Sequence, residues 1–205
     1  MARIAKIPEE RRNELIDAAT TLFLEKGYEE TAVSDIVKKI NVAQGTFYYH
    51  FKSKSEILEA VVDRFISGIE TTLAEIADNR QTPAAIRFND AVNYLIAIAE
   101  GSREVLDDVH QENNAVMHDR IAKMTMARLV PVLARIVDQG AASGEFNAHH
   151  PAEATDVILS ALFWQFHQPR LMEDKQRLAR IRATLEHLLD RMLGTPDHTF
   201  VLNLN

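Results

Sequence analysis

Apolar residues recur at every third or fourth position along most of the chain, which is the spacing of an amphipathic helix. No convincing run alternates polar and apolar residues as a half-buried strand does. Glycine and proline, which interrupt regular structure, number only 7 and 6. The pattern predicts an all-α protein without internal repeats or low-complexity segments.

The first helix is predicted to begin at Pro8, a residue favoured in a first helical turn, and to end at Gly27 as its C-terminal cap. A second, short helix follows, with Thr31 as its predicted N-cap. Both helices carry an inward apolar stripe, composed of Leu15, Ala18, Ala19, Leu22 and Phe23 in the first and of Ile36, Val37 and Ile40 in the second.

A tight turn is predicted next, because Asn41 tolerates the left-handed conformation and Val42 can plug the turn. The third helix covers about Gln44–His50. The sequence Ser53-Lys54-Ser55-Glu56 is then a capping box that opens a long fourth helix.

Further helices are predicted over 84–100, 103–111, about 113–140 with a kink at Pro131, 151–168 and 173–193. Residues 194–205 have no helical pattern and are interpreted as either a loose end or an arm on a neighbouring chain. We therefore expect domains at 1–55 and 56–193 and an irregular tail at 194–205, with the fourth helix belonging to both domains.

Composition is that of a globular protein, with 205 residues, 46% of them hydrophobic and 26% charged. The absence of cysteine excludes disulfides, thiolate catalysis and zinc–thiolate sites. The N-terminus lacks the apolar core of a signal peptide, and no apolar run approaches the roughly 20 residues that span a bilayer. We expect a cytoplasmic protein that does not cross a membrane.

The net charge of −7 is distributed unevenly. Residues 1–55 hold nine Lys and Arg against eight Asp and Glu, a balance of +1, while the remainder holds fourteen against twenty-two, a balance of −8. This asymmetry is compatible with a nucleic-acid-binding module on an acidic body.

Two short helices joined by a tight turn over about 32–51 form a predicted helix-turn-helix. In this motif the start of the second helix meets base edges in the major groove. Phe47 and Phe51 share one face, which we assign to the core. The remaining surface then carries groups able to contact bases or phosphates, namely Gln44, Thr46, Tyr48, Tyr49 and His50. For Tyr48 a half-buried structural role is the alternative.

The segment "ELIDAATTLFLEKGYEETAVSDIVKKINVAQGTFYYHFKSKSEIL" resembles the DNA-binding region of the TetR family of bacterial transcriptional regulators. The resemblance implies a homodimer on a palindromic operator, controlled by a small-molecule ligand. It places DNA contacts on Thr31, Val33, Ala43, Gln44, Gly45, Thr46, Tyr48, Tyr49, His50 and Lys54. Beyond this segment the chain matches the family in helical character and length.

Two positions depart from the family pattern. Asn41 replaces the turn glycine, at little cost, because asparagine tolerates the same conformation. Ala43 replaces the serine or threonine that precedes the recognition helix, which removes a side-chain cap and costs on the order of 1 kcal/mol. Ala43 also has no hydroxyl to donate to a phosphate.

Residues 88–126, together with two side chains near the end of the penultimate helix, are candidates for the effector site. They combine methionines, which suit adaptable pockets, with a few polar groups. The candidates are Phe88, Tyr94, Ile98, His110, Asn114, Met117, His118, Ile121, Met124, Trp164 and His167. Ordinary core packing is the alternative for each of them.

No catalytic, metal or cofactor site is predicted. His110 and His118 are eight positions apart and lie about 80° out of alignment on a helix, unlike the histidines of a His-Glu-x-x-His metal site. The sequence also contains neither a nucleophile–base pair nor a glycine-rich phosphate loop. An enzyme that uses the C-terminal cavity is therefore only a distant alternative.

The last two predicted helices form the expected dimer interface. The penultimate helix is apolar almost all round, and the last keeps an apolar seam, so that two helices from each chain can form a four-helix contact. The interface candidates are Val157, Ile158, Ala161, Leu162, Leu178, Ile181, Leu185, Leu188, Leu189 and Met192. The alternative is that both helices serve only the core of their own chain.

We therefore expect a dimeric regulator that binds double-stranded DNA at a palindromic operator and is released by an unknown small-molecule effector. The alternative is a regulator without a small-molecule effector, either an activator or a protein controlled by a protein partner.

Overall fold

The computed structural model describes residues 7–101, 115–166 and 174–204, without the side chains of 115–118 and 166. These residues form eight helices and no strand, which confirms the predicted all-α class. The helices are α1 (Pro8–Lys26), α2 (Val33–Lys39), α3 (Gln44–His50), α4 (Lys54–Asp78), α5 (Ala84–Gly101), α6 (Ala115–Ser143), α7 (Pro151–Phe166) and α8 (Lys175–Leu193). The helix predicted over 103–111 lies outside the described residues.

The chain divides into two compact units. The first comprises Met1–Ser67 and Glu104–Ile121, and the second comprises Gly68–Arg103 and Ala122–Asn205. The division falls inside α4, so this helix supplies residues to both units. Among the described residues, no helix combines the length and the apolar character that crossing a membrane requires.

The core of the first unit is built from the inward faces of α1, α2 and α3 and the first turns of α4. Its buried side chains include Leu15, Ala19, Phe23, Ile36, Val37, Phe47, Phe51, Ile57 and Leu58. Helix α1 begins with Pro8 in its first turn and ends at Gly27, which has φ 82° and donates its backbone N–H to Phe23 O at 3.0 Å. Both predicted boundaries of this helix are confirmed.

The second unit contains an aromatic cluster of three buried rings, Phe88 on α5, Phe146 after α6 and Phe200 in the C-terminal segment. The ring centroids of Phe88 and Phe200 are 5.9 Å apart, and those of Phe146 and Phe200 are 6.3 Å apart. Gly140 leaves room for this cluster, since a Cβ atom there would lie 2.2 Å from the ring of Phe146.

The C-terminal segment is neither of the two alternatives that the sequence suggested, a loose end or an arm on another chain. It packs on its own chain, with Phe200, Leu202 and Leu204 buried at alternate positions. The backbone N–H of Val201 donates to Asn89 Oδ1 at 2.9 Å, and that of Asn203 donates to Asn93 Oδ1 at 2.8 Å. Side chains of α5 therefore supply the hydrogen bonds that a neighbouring strand would give to an extended segment.

Helix α8 holds the same segment from the other side. The backbone N–H of Leu202 donates to Glu186 Oε1 at 2.9 Å. Asp190 is buried and accepts hydrogen bonds from the Thr195 hydroxyl and the His198 backbone N–H. These acceptors turn the chain after α8 back towards α5.

We predict that Phe200→Ala lowers the free energy of unfolding by about 3–5 kcal/mol, because it leaves a cavity between Phe88 and Phe146. Urea unfolding followed by circular dichroism measures this loss. Val201→Ala is the matched control, since Val201 is 57% exposed and its truncation is expected to change stability by less than about 0.5 kcal/mol. Equal effects of the two substitutions would contradict the packing described for the segment.

Candidate nucleic-acid interface

The turn between α2 and α3 has the predicted conformation. Asn41 has φ 54°, in the left-handed region, and its backbone N–H donates to Lys38 O at 3.1 Å. The N–H of Val42 donates to Val37 O at 3.0 Å, and the Val42 side chain packs against the core of the first unit. Asparagine therefore performs here the conformational role that the family pattern gives to glycine.

Helix α3 is anchored by two phenylalanines. Phe47 and Phe51 are 0% and 1% exposed, as predicted, and their ring centroids are 5.7 Å apart. The side chains between them face outwards, because Tyr48 is 55% exposed and Tyr49 is 74% exposed. Tyr48 still touches the ring of Phe47 edge-on at 5.4 Å, so it combines surface exposure with a fixed orientation.

The N-terminal end of α3 presents small and polar groups to solvent. Ala43 is the N-cap residue and makes no side-chain cap bond, while its carbonyl accepts from Thr46 N at 2.9 Å. Gln44 is exposed in the first position of the helix. A Cβ atom added at Gly45 would meet nothing within 4 Å, so the absence of a side chain there leaves an open surface on the helix.

Thr31 is not the N-cap of α2 that the sequence predicted. It is 0% exposed, and its hydroxyl donates to Gly27 O at 2.7 Å. The N-cap of α2 is Ala32, whose backbone N–H donates to Asp35 Oδ2 at 3.1 Å. Thr31 thus fixes the connection between α1 and α2, and its hydroxyl cannot reach a DNA phosphate.

The start of α2 is stabilised by charge. Asp35 lies in its first turn and forms an ion pair with Lys26 on α1. A hydrogen bond from Lys26, reinforced by the Ala32 N–H, lowers the pKa of the Asp35 carboxyl. Val33, the first residue of α2, packs partly against the core and leaves only part of its side chain for a DNA backbone.

Lys54 has partners within the protein. Its ammonium donates to Tyr28 O at 2.9 Å and to Glu29 O at 3.2 Å, and it lies 4.3 Å from the centroid of the Tyr28 ring. The Glu29 carboxylate is 3.9 Å away. Lys54 therefore ties the first turn of α4 to the connection between α1 and α2.

The predicted capping box before α4 is half confirmed. The hydroxyl of Ser53 accepts from the backbone N–H of Glu56 at 3.2 Å. The Glu56 carboxylate, however, accepts from the backbone N–H of Lys52 and not from that of Ser53. The bond is displaced by one residue, but it still ties the end of the α3–α4 connection to the first turn of α4.

His50 occupies the last position of α3 and is partly buried. Its ring lies edge-on to that of Tyr49, with a centroid distance of 4.8 Å. Burial, together with the positive charges of Arg12 and Arg11, lowers the pKa of the His50 imidazole. The two arginines were not among the predicted site residues, because the helical pattern of α1 gives no indication that its first turns approach the end of α3.

The effector-site candidates that the structure describes have different surroundings. Phe88 is 0% exposed and belongs to the aromatic cluster, which favours the alternative of core packing for this residue. Trp164 is 59% exposed and does not close a pocket within the described chain. Tyr94, Ile98 and Met124 are half-buried in the second unit, and Ile121 is half-buried in the first. The remaining candidates, His110, Asn114, Met117, His118 and His167, lie outside the described side chains.

The predicted dimer residues separate into two groups. Ile158, Leu162, Leu178, Leu185 and Leu189 are each 7% exposed or less. They were assigned to the interface incorrectly, because their side chains fill the core of their own unit. Val157 is 53% exposed, and Ala161, Ile181, Leu188 and Met192 are half-buried. Val157, Ala161 and the adjacent Trp164 follow one another at helical spacing on α7, so they form a single apolar stripe.

Two family models match the chain. A model described as "Bacterial regulatory proteins, tetR family" matches residues 15–61, and a model described as "Tetracyclin repressor-like, C-terminal domain" matches residues 104–189. The first match contains the turn, α2, α3 and the start of α4.

Curated relatives align over only part of their length. The HTH-type transcriptional repressor DhaR of Mycobacterium sp. (strain GP1) is 35% identical over 89 residues, which is 43% of each chain. The HTH-type transcriptional activator FasR of Mycolicibacterium smegmatis is 36% identical over 77 residues, covering 36% of this chain and 35% of FasR. The alignments thus span less than half of either relative.

The fold extends further than the sequence identity. The crystal structure of RolR in complex with resorcinol superposes with a TM-score of 0.68, covering 93% of this chain and 90% of RolR at 21% identity. At that identity the similarity establishes a shared fold.

We predict that Lys54→Ala lowers the free energy of unfolding by about 1–2 kcal/mol, because the carbonyls of Tyr28 and Glu29 lose a charged donor. The measurement is urea unfolding, with Lys52→Ala as the control, since Lys52 is exposed and makes its described bond through its backbone. Unchanged stability combined with weaker, less salt-dependent DNA binding would instead show that the ammonium serves phosphate.

Proposed function

Because the chain belongs to the TetR family of bacterial transcriptional regulators, we propose that it is a dimeric, sequence-specific DNA-binding regulator. We propose that it binds a palindromic operator and represses transcription there, and that a small-molecule ligand releases it from the DNA. A protein with this role acts on DNA in the bacterial cytoplasm.

The observation that carries the proposal is the exposed face of α3. Its N-terminal residue, Gln44, is solvent-exposed at the end that enters the major groove in a helix-turn-helix. A glutamine amide can form a bidentate pair with adenine. The open surface at Gly45 supports a close approach of the helix backbone to DNA.

The proposed phosphate contacts surround this base-reading position. Thr46, Tyr48, Tyr49 and His50 offer polar groups along α3, and Ala43 offers a backbone N–H. Val33 lies at the start of α2 and Lys54 at the start of α4. Such contacts fix the position of the protein on the duplex without reading its sequence. For Lys54 the contact requires exchange of a carbonyl partner for a phosphate.

A homodimer is part of the proposal because a two-fold protein matches a two-fold operator, with the distance between recognition helices setting the half-site spacing. The apolar stripe of Val157, Ala161 and Trp164, in which Val157 and Trp164 are exposed, supports α7 as part of the contact. The half-buried Ile181, Leu188 and Met192 on α8 are proposed to add to it.

A small-molecule effector is proposed to act through a difference in affinity. A ligand shifts a conformational equilibrium only as far as it binds one state more tightly than the other. Tyr94, Ile98 and Met124, which all belong to the second unit, are the described residues that we retain for its site. Helix α4 is the proposed lever, because it contributes residues to both units.

An activator is the second candidate, and the similarity to FasR, which is itself an activator, favours it. Recognition of DNA by α3 would be the same in both cases, since the sign of regulation depends on where the operator lies relative to the promoter. Thermal-shift measurements distinguish a regulator with a small-molecule effector from one without. A small molecule that binds the protein raises its melting temperature, whereas a regulator without an effector shows no such increase.

The direct test is selection of DNA by the purified protein from fragments of the genome that encodes it, followed by sequencing. Enrichment of a palindrome is expected. No enrichment at low salt, where electrostatic binding is strongest, would overturn the proposal.

Base reading and phosphate contact are distinguished by two substitutions on α3. Gln44→Ala is expected to relax base preference at one operator position by about 1–3 kcal/mol. Tyr49→Ala is expected to weaken binding to all sequences alike and to lower the salt dependence only slightly, because tyrosine carries no charge. Binding measured across single-base operator variants separates the two. A uniform loss for Gln44→Ala would show that α3 is placed incorrectly in the groove.

The dimer surface is tested by Trp164→Glu, which places a charge in the apolar stripe of α7. We expect the variant to sediment as a monomer at concentrations where the parent protein is a dimer, because a buried unpaired charge is strongly unfavourable. Val201→Glu is the control, since Val201 is similarly exposed but lies in the C-terminal segment. If the Trp164→Glu variant still sediments as a dimer, the interface does not include the stripe on α7.

A further inference from the structure

Arg12 is an exposed cation that lies beside the end of α3. Its guanidinium lies 5.1 Å from the centroid of the Phe51 ring. Among the described residues, no carboxylate forms an ion pair with Arg12, although Glu9 and Glu10 share the first turns of α1. The guanidinium therefore lies over the ring of Phe51 in an exposed position, where it can still donate hydrogen bonds to an external anion.

Arg11 reaches the same region from the preceding position of α1. It forms an ion pair with Glu14 at 2.5 Å and is only partly exposed. The Glu14 carboxylate offsets part of its charge, so Arg12 is the stronger candidate for contact with an external anion.

His50 faces these arginines from α3. It shares its surroundings with the Tyr49 ring, and Lys52 follows two residues later in the chain. Because burial, Arg12 and Arg11 lower its pKa below the ordinary value of 6.5, the imidazole is mostly uncharged at neutral pH in the free protein. One exposed cation and one titratable ring thus lie together at the end of the proposed recognition helix.

We propose that Arg12 and His50 form a single DNA-phosphate site that joins α1 to α3, and that His50 takes up a proton when the phosphate binds. Arg12 was assigned to no site by the sequence pattern. The inference rests on the proposed DNA-binding function and adds to it a residue of α1 and a dependence on pH.

The direction of the pH dependence follows from the charges. A phosphate placed beside His50 favours the imidazolium and offsets the repulsion from the arginines, so the affinity of His50 for a proton is higher in the complex than in the free protein. A group that binds protons more tightly in the complex strengthens DNA binding as the pH falls. The loss of affinity with rising pH is bounded by one proton, about tenfold per pH unit at most.

The test uses a fluorescently labelled duplex of arbitrary sequence at low salt, because phosphate contacts also act in non-specific binding. Affinity is measured by anisotropy between about pH 6 and about pH 8, the range in which histidine titrates. We expect the parent protein to bind several-fold more tightly at the acidic end, and His50→Gln to lose most of this difference. His187→Gln, which changes an exposed histidine on α8, is expected to behave like the parent.

Arg12→Gln tests the coupling between the two residues. It is expected to lower the slope of log affinity against log salt by about one phosphate contact and to reduce the pH difference. In the free variant, NMR titration of His50 is expected to give a higher pKa than in the parent protein, because one repelling charge is gone. A Lys52→Gln variant is the matched control for loss of an exposed cation nearby.

The outcomes separate this inference from the function on which it rests. If the parent protein binds no duplex at any pH, the proposed function fails. If it binds DNA and His50→Gln keeps the parent's pH difference, or Arg12→Gln leaves the salt slope unchanged, then only the shared phosphate site is overturned.

Discussion

The burial of Phe47 and Phe51 against α1, α2 and α4 determines which side chains of α3 face solvent. A helix of seven residues is too short to be stable alone in water, so its orientation is set by this packing. Once the two phenylalanines are inside, Gln44, Tyr48 and Tyr49 must lie on the surface. The proposed reading of DNA therefore depends on a hydrophobic contact that never touches DNA.

This dependence explains why the first unit could be predicted well from sequence. The spacing of Phe47 and Phe51, the left-handed tolerance of Asn41 and the positions of Pro8 and Gly27 are local signals, and each is found where it was expected. Thr31 and Lys54 were predicted to contact DNA, but in the structure their side chains donate to main-chain carbonyls. A side chain that bonds to backbone leaves no pattern in residue types, so sequence reasoning could not assign those bonds.

In the second unit, sequence periodicity predicted the helices but not which of their faces are buried. Apolar residues on α7 surround the helix, and periodicity alone could not separate the face that packs inside the chain from the face left exposed. Burial of Ile158 and Leu162, against exposure of Val157 and Trp164, resolves the two faces. The alternation of Phe200, Leu202 and Leu204 was a usable signal for an extended packed segment, but it was too short to outweigh the irregular residues before it.

Contact between DNA and the outward face of α3 can be observed by NMR. Backbone amide shifts would be recorded as a duplex obtained by selection is added. We expect the largest changes at residues 43–50 and in the first turns of α1, and no change from direct DNA contact in the C-terminal segment. Changes confined to the second unit, with α3 unperturbed at saturating DNA, would contradict this expectation.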